Sequence, residues 1–133
     1  MMNIRSGRNG VKQRENDEIV ILVSSLHHLT KQGIPFLFTD VHAYLDYAEY
    51  SNDLTTLNTI DWKLLQARDF KRDDEDPRKM DRYQAEALIH QHLPVSGLLG
   101  ALCYTKDVQQ MIEGHASTQG LSLKVYTQPG WYF

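Results

Sequence analysis

The sequence has few of the features that mark extracellular or membrane proteins. Its 133 residues include one cysteine, Cys103, so no disulfide can form within the chain, and this indicates a reducing compartment. No apolar run approaches the length that crosses a bilayer, and residues 1–5 are not followed by the apolar core of a signal peptide. We therefore expect a cytoplasmic protein that does not enter a membrane.

An excess of charge of one sign is also lacking, as are several catalytic motifs. Fourteen Lys and Arg against 17 Asp and Glu give a net charge of −3, so any basic surface must be local. A glycine-rich phosphate loop, a nucleophile elbow and Cys-x-x-Cys are absent, which leaves kinases, hydrolases and zinc fingers unsupported. The pairs His27–His28 and His90/His92 have no cysteine or carboxylate at ligand spacing, so we expect no metal.

Short apolar runs alternate with helical patterns along the chain, which predicts an α+β fold. Residues 1–133 are expected to form a single domain that begins with a flexible loop over 1–17. The apolar run 18–23 is typical of a strand buried on both faces and central to its sheet. Further strands are predicted over 35–39, 85–91, 101–105 and 121–127, and helices over 26–32, capped by Ser24 or Ser25 and ended by Gly33, and over 107–116.

The middle of the chain predicts less regular structure. Apolar and tyrosine side chains recur at roughly helical spacing over 40–50, which favours helical turns. Asp61 is positioned to cap a short helix over 61–67 whose Trp62, Leu64 and Leu65 would reach the core. Residues 69–82 mix both charge signs around a proline and contain little to bury, so they predict an exposed loop.

Glu86 follows this charged loop at the start of a predicted strand, between two small residues, Ala85 and Ala87. A carboxylate at such a sheet edge can accept a hydrogen bond from a sugar hydroxyl, stabilise positive charge at an anomeric carbon, and take a proton from a nucleophile. The pattern alone favours the alternative that Glu86 is an ordinary exposed residue, because surface glutamates are abundant.

The charged loop and one histidine complete the candidate site. Arg68, Phe70, Lys79 and Arg82, with neighbouring Lys and Arg residues, combine phosphate-seeking cations with an aromatic ring, as single-strand binders do. A solvated loop is the alternative, since five acidic residues cancel much of that charge. His42 can donate or accept a hydrogen bond, although a lone histidine at a strand-to-helix junction is more often structural.

Several blocks of the sequence, in their order and spacing, resemble the DarT family of DNA ADP-ribosyltransferases, toxins of toxin–antitoxin systems. The blocks are residues 18–25, 33–42, 60–62, 84–86 and 131–133. The resemblance implies an ADP-ribosyltransferase-like mixed or antiparallel sheet with flanking helices, NAD as co-substrate without a metal, and transfer of ADP-ribose to a base of single-stranded DNA. By the same resemblance Glu86 is the catalytic carboxylate, the loop before it recognises DNA, and Thr39 and His42 line the site, their block favouring thymine. Single-stranded DNA is the implied partner, with a macrodomain antitoxin as a further one.

The chain also departs from the family pattern. Family members are longer, and Met1 aligns near their middle, so the resemblance covers a C-terminal portion without the N-terminal segment that grips NAD. We therefore expect a fold incomplete at its N-terminus, unknown cofactor-binding residues, and exposed sheet edges that favour self-association. Whether the chain is itself an enzyme stays open. The alternatives are an inactive remnant that binds single-stranded DNA or a macrodomain antitoxin, and a small protein with a structural role.

Overall fold

A computed structural model describes Ile4, Ser6, Gly7 and residues 10–132, which divide into two compact units. The first unit takes the described residues of 1–28 and 93–133, and the second takes residues 29–92. No helix in the described part is long and apolar enough to cross a membrane. The helices are Leu26–Lys31 (α1), Trp62–Ala67 (α2), Lys79–Arg82 (α3) and Lys106–Thr118 (α4), and the strands are Ile21–Val23 (β1), Phe36–Thr39 (β2), Tyr50–Ser51 (β3), Ala87–Ile89 (β4), Gly100–Cys103 (β5) and Val125–Thr127 (β6).

The first unit is built on a three-stranded sheet of order β1-β5-β6. β1 pairs antiparallel with β5, and β6 pairs parallel with β5. All four residues of β5 are buried, and Ala101, Cys103 and Val125 form the core cluster that Val108 and Ile112 of α4 cover. The thiol of Cys103 is fully buried in this core, with an exposure of 0%.

The prediction that the first apolar run forms a central strand buried on both faces is wrong. β1 covers only Ile21–Val23 and lies at the edge of its sheet, with Leu22 61% exposed. Glu18, the first residue of that run, belongs instead to a 3-10 turn over Asn16–Glu18, and its carboxylate accepts the Glu15 N–H at 2.9 Å. The apolar runs of β1 and β5 are both candidates for the central strand of this sheet. The glycine and small side chains of β5 allow the neighbouring backbone to pack more closely there.

Helix α4 covers Lys106–Thr118 and is therefore slightly longer than the helix predicted over 107–116. The Thr105 hydroxyl accepts the Val108 N–H at 3.3 Å, and Gly120, at φ +67°, lets the chain leave the helix in a left-handed conformation. α1 has matching signals, because Ser25 Oγ accepts the His28 N–H at 3.2 Å and Gly33 has φ +67°. Ser24 does not cap this helix, since its hydroxyl donates to the Gly97 carbonyl at 2.5 Å.

The second unit has its own three-stranded sheet, of order β3-β2-β4, with both pairs antiparallel. In the β2–β4 pair, Phe38 lies opposite Ala87 and Phe36 opposite Ile89. Together with the first unit, this sheet confirms the predicted mixed α+β fold class. Residues 11–15 have no regular structure, while six residues of the loop predicted over 1–17 lie outside the described residues.

Helical turns over 40–50 were a wrong prediction, because this stretch forms bends and tight turns. Leu45 N–H bonds to the His42 carbonyl at 3.0 Å and Ala48 N–H to the Leu45 carbonyl at 3.1 Å, so hydrogen bonds reach three residues back. Asp40 Oδ1 takes the Glu49 N–H at 3.0 Å, which competes with helical hydrogen bonding. Helical spacing of side chains therefore does not produce a helix here, because the backbone groups form other hydrogen bonds.

The predicted helix capped by Asp61 is confirmed as α2. Asp61 Oδ1 accepts the Leu64 N–H at 3.0 Å, and the helix ends at Arg68, whose φ is +53°. The expectation that Trp62 reaches the core is wrong, because its side chain is 49% exposed and its Nε1–H donates to the Leu57 carbonyl at 2.7 Å. The charged segment over 69–82 also contains a helical turn, α3, which its composition did not predict.

Candidate active site

Glu86 lies immediately before β4, where the backbone is held by the neighbouring strand β2. Its carbonyl accepts the Thr39 N–H at 2.9 Å, and its own N–H points to Thr39 Oγ1 at 3.4 Å. Thr39 is fully buried, and its hydroxyl donates to the Val41 carbonyl at 2.5 Å. A buried side chain at the end of β2 therefore fixes the backbone from which the Glu86 side chain extends.

The Glu86 carboxylate is held at one oxygen and open at the other. Oε1 accepts the backbone N–H of Ala43 at 2.8 Å. Oε2 accepts no hydrogen bond from any residue in the described part of the chain, and 35% of the side chain is exposed. One anchored oxygen sets the orientation of the group, and the second is left for a ligand.

His42 lies beside this carboxylate. Its Nδ1 is 3.1 Å from Glu86 Oε1 and accepts the Tyr44 N–H, also at 3.1 Å. These two contacts need opposite states of Nδ1, since an ion pair with Glu86 requires a proton there and the bond from Tyr44 requires a lone pair. Only the Tyr44 contact satisfies hydrogen-bond geometry, so Nδ1 is the acceptor of the Tyr44 N–H in this arrangement.

The turn that carries His42 is closed by polar contacts within the second unit. The Tyr50 hydroxyl, at the start of β3, donates to the Ala43 carbonyl. Ala43 is thus bonded through both its N–H, to Glu86, and its C=O. The helical spacing of residues 40–50 predicted a helix and not the turn that brings His42 and Ala43 to Glu86. The sequence feature that pointed to this turn was the position of His42 just after β2.

Two cations of the charged segment are bound to neighbouring carboxylates. The Lys79 ammonium lies 2.8 Å from Asp69 Oδ2, and Lys79 is 7% exposed. This hydrogen bond raises the pKa of Lys79 and lowers the pKa of Asp69. Arg82 pairs with both carboxylate oxygens of Asp76, which raises the pKa of Arg82 and lowers that of Asp76. Its Nε also lies 3.2 Å from Asp61 Oδ2, without hydrogen-bond geometry.

Other members of the charged segment face solvent. The Phe70 ring, 39% exposed, packs against Tyr83 with 4.8 Å between ring centroids. The side chains of Lys71 and Arg72 are exposed and bind no carboxylate among the residues that the structure describes. Arg68 is exposed at the end of α2. An aromatic ring followed by two available cations is the part of this segment best suited to contact nucleic acid.

Tyr47 connects the turn after β2 with α3. Its hydroxyl donates to Asp81 Oδ2, which raises the pKa of Tyr47, and the Arg78 guanidinium lies 4.5 Å from its ring centroid. Sequence reasoning gave Tyr47 no role beyond helical spacing. A tyrosine bonded in this way links the segment of His42 to the segment that leads into Glu86.

The structure thus brings Glu86, His42 and Thr39 together, while Lys79 and Arg82 pair with carboxylates of the charged segment and of Asp61. Thr39 and Lys79 are buried, so direct contact of either side chain with DNA does not fit their position. A hollow of about 450 Å³, lined by Phe36 and Ile89 among others, lies at the opposite end of the β2–β4 pair from Glu86. Among the described residues no group of three or more His, Cys, Asp or Glu is arranged to hold a metal.

The chain is similar to known proteins over its full length. Residues 1–133 match the family model described as ssDNA thymidine ADP-ribosyltransferase, DarT. A DNA ADP-ribosyl transferase of Escherichia coli O127:H6 (strain E2348/69 / EPEC) is 51% identical over 133 residues, which are 100% of this chain and 61% of that protein. One from Thermus sp. (strain 2.9) is 34% identical over 100 residues, 75% of this chain and 46% of that protein.

Solved structures agree with this similarity. The structure of Thermus sp. 2.9 DarT in complex with NAD+ superposes with a TM-score of 0.86 at 26% identity and covers 99% of this chain and 66% of that one. Thermus sp. 2.9 DarT in complex with ADP-ribosylated ssDNA gives the same TM-score and identity, with 62% of that chain covered. The chain therefore spans about half to two thirds of the length of the proteins it matches.

Proposed function

The chain belongs to the DarT family, and on that basis we propose that it takes part in NAD-dependent transfer of ADP-ribose to a base of single-stranded DNA, with Glu86 as the catalytic carboxylate. The observation that carries this proposal is the state of that carboxylate: Oε1 is held by the Ala43 N–H at 2.8 Å, and Oε2 is open. A carboxylate oriented before the substrate arrives stabilises developing positive charge without reorganisation.

NAD would be the co-substrate, and thymine the base. The similar Thermus protein has been solved with NAD+ and with ADP-ribosylated ssDNA, and the family description names thymidine. Glu86 Oε2 would accept a hydrogen bond from a ribose hydroxyl of NAD. The Glu86 carboxylate would take the proton that the thymine loses as it bonds to the anomeric carbon and nicotinamide leaves, and His42, 3.1 Å from Oε1, would lie beside this proton transfer. The buried Thr39 supports this pair without touching substrate.

DNA would bind along the charged segment through Phe70, Lys71 and Arg72. These three are adjacent and exposed, whereas Lys79 and Arg82 are engaged with carboxylates. Arg68, exposed at the end of α2, extends the same stretch. The DNA contacts predicted for Lys79 and Arg82 thus become structural roles in this proposal, in which the two residues shape the segment.

The test uses this chain and a chimera in which its 133 residues replace the aligned segment of the E. coli relative. Each is incubated with NAD and single-stranded oligonucleotides that contain either thymine or guanine, and ADP-ribosylated product is measured by mass spectrometry. Glu86→Gln keeps an oxygen for the Ala43 N–H but removes the charge. We expect thymine modification that falls by about 10²- to 10⁴-fold in Glu86→Gln, the range for a lost general base.

The matched control is Glu113→Gln, at an exposed glutamate of α4, which should leave transfer unchanged. A chimera that transfers no ADP-ribose, or one that transfers it equally well after Glu86→Gln, would contradict the proposed function. Modification of guanine in place of thymine would leave the reaction standing and overturn the choice of base.

A binding role without transfer is the second candidate, favoured by the exposed Phe70-Lys71-Arg72 stretch. In this case the chain binds single-stranded DNA, or a macrodomain antitoxin, and consumes no NAD. Oligonucleotide binding that weakens with salt and survives Glu86→Gln, in a chimera without transferase activity, would select it. A cytoplasmic location and self-association through sheet edges accompany either candidate as predictions.

A further inference from the structure

Tyr44 has an exposure that packing does not explain. Its side chain is 91% exposed, the highest value among the large hydrophobic side chains of the described residues. Neither its ring nor its hydroxyl makes a hydrogen bond or ring contact within the described part of the chain, whereas Tyr47 and Tyr50 both donate through their hydroxyls. The tyrosine ring is thus fully available to a ligand.

The backbone beneath this ring is held firmly. The Tyr44 N–H donates to His42 Nδ1, and the preceding residue, Ala43, donates its N–H to Glu86 Oε1 and accepts the Tyr50 hydroxyl at its carbonyl. Three successive residues are therefore tied to the candidate catalytic carboxylate or to its neighbours. An exposed ring on a fixed backbone loses little conformational entropy when a planar ligand stacks on it.

We infer that Tyr44 is the stacking platform for a nucleobase of single-stranded DNA adjacent to the base that is modified. This inference rests on the proposed function and deepens it, because it assigns a residue that positions DNA at Glu86. Stacking on an aromatic face tolerates any base, so Tyr44 would add affinity and register, not base choice. Phe70, which packs on Tyr83, supplies a second ring for the same strand in the same unit.

The experiment separates the aromatic face from simple apolar area. Binding of a fluorescein-labelled oligothymidine to the chain is measured by anisotropy for the wild type, Tyr44→Phe and Tyr44→Leu. We expect Tyr44→Leu to weaken binding by about tenfold, the effect of one lost base stack, and Tyr44→Phe to bind as the wild type does. Because the side chain is 91% exposed, neither substitution removes a packing contact.

A matched control is Tyr126→Leu, which removes a 48% exposed tyrosine of β6 in the first unit and should leave binding unchanged. Wild-type affinity in Tyr44→Leu would overturn the inference, and so would equal loss in Tyr44→Phe and Tyr44→Leu. Absence of oligothymidine binding by the wild type would also overturn it, as would weakened NAD binding in Tyr44→Leu with unchanged oligothymidine binding. If the stacking pattern holds and the chimera transfers no ADP-ribose, the proposed function fails and the stacking role stands.

Discussion

The two units of this chain are held together in different ways. In the first, β5 is buried along its whole length and packs with Val125 against α4, so apolar contact determines the arrangement. The second unit also buries apolar side chains, among them Phe38, Val41 and Ile60, but the segments around its strands are joined by polar contacts of Thr39, by the Lys79–Asp69 pair and by Arg82 with Asp76. The candidate active site lies entirely in this second unit.

This difference shows which kind of contact fixes the position of single atoms in these units. Apolar burial is non-directional, so it stabilises a sheet without fixing single atoms. Hydrogen bonds depend on distance and angle, so they hold a group such as the Glu86 carboxylate in one orientation. We expect substitutions in the first unit to change stability most, and substitutions in the second to change the geometry of the site at smaller cost in stability.

Each unit carries its own fluorescent reporter, which allows the comparison to be tested. The chain has two tryptophans, Trp62 in the second unit and Trp131 in the first, and both are half exposed. Trp131→Phe leaves a reporter of the second unit, and Trp62→Phe leaves a reporter of the first. Urea unfolding followed in these two backgrounds assigns a change in stability to one unit.

The largest effect is expected from Gly100→Ala in β5. A Cβ at this position would lie 2.7 Å from the carbonyl oxygen of Lys124, a backbone atom of the neighbouring chain segment, so the strands must move apart. We expect a loss of about 3 kcal/mol, the upper range for overpacking, in urea unfolding reported by Trp131. Gly114→Ala is the control, because nothing lies within 4 Å of its Cβ in the middle of α4 and alanine favours a helix. Equal stability of the two variants would refute this account of β5.

An intermediate effect is expected from Thr39→Val, which keeps the volume and removes the buried hydroxyl. The Val41 carbonyl and the Glu86 N–H each lose a partner, so we expect a loss of about 1.5 kcal/mol reported by Trp62. ADP-ribose transfer by the chimera should fall further than the loss of stability alone explains, because the backbone of Glu86 is no longer held by the Thr39 hydroxyl. Thr39→Ser retains the hydroxyl and should behave as the wild type. A Thr39→Val protein that is destabilised but fully active would break the link between this hydroxyl and the site.

The smallest effect is expected from the ion pairs of the charged segment, and it depends on pH. The pKa values of Asp69 and Asp76 are lowered by hydrogen bonds from Lys79 and Arg82. Their stabilisation is therefore complete above the ordinary aspartate pKa of about 3.9 and is lost as the pH falls through the lower value in the folded state. The double variant Asp69→Asn/Asp76→Asn should show a flatter acid dependence of the urea midpoint, by Trp62 fluorescence.

Salt should reduce this difference, because both carboxylates are at least partly exposed and are therefore screened. Asp46→Asn, at an exposed aspartate of the turn before β3, should keep the wild-type acid dependence. If the double variant also keeps it, the pairs of Lys79 and Arg82 contribute nothing measurable to the second unit.

Much of the fold could be predicted from local signals. Ser25, Gly33 and Asp61 mark helix ends through short-range hydrogen bonds and backbone conformation, and the structure has them in those roles. Which strand is central could not be predicted, because β1 and β5 are both short apolar runs with no local feature that distinguishes them. The residues that pair between them lie about 80 positions apart in the sequence. The side chain of Tyr44 contributed to the helical spacing pattern over 40–50, yet in the structure its ring faces solvent.

The candidate site was predictable at the level of side chains and not of backbone. Glu86 and His42 belong to recognisable blocks of sequence, and in the structure His42 Nδ1 lies 3.1 Å from Glu86 Oε1. The Ala43 N–H that orients Glu86 leaves no trace in residue type, since every residue but proline has one. The pairing of Lys79 with Asp69 was equally hidden, because mixed charges in one segment can pair in many ways.

The hydrogen bond between Ala43 and Glu86 also bears on how this sequence can vary. Because the donor is a backbone amide, the alanine side chain can be replaced without removing it. Proline is the exception, since it has no N–H to donate. Position 43 should therefore accept a wide choice of residues under selection for activity and reject proline, so an essential contact would leave almost no mark in a comparison of residue identities.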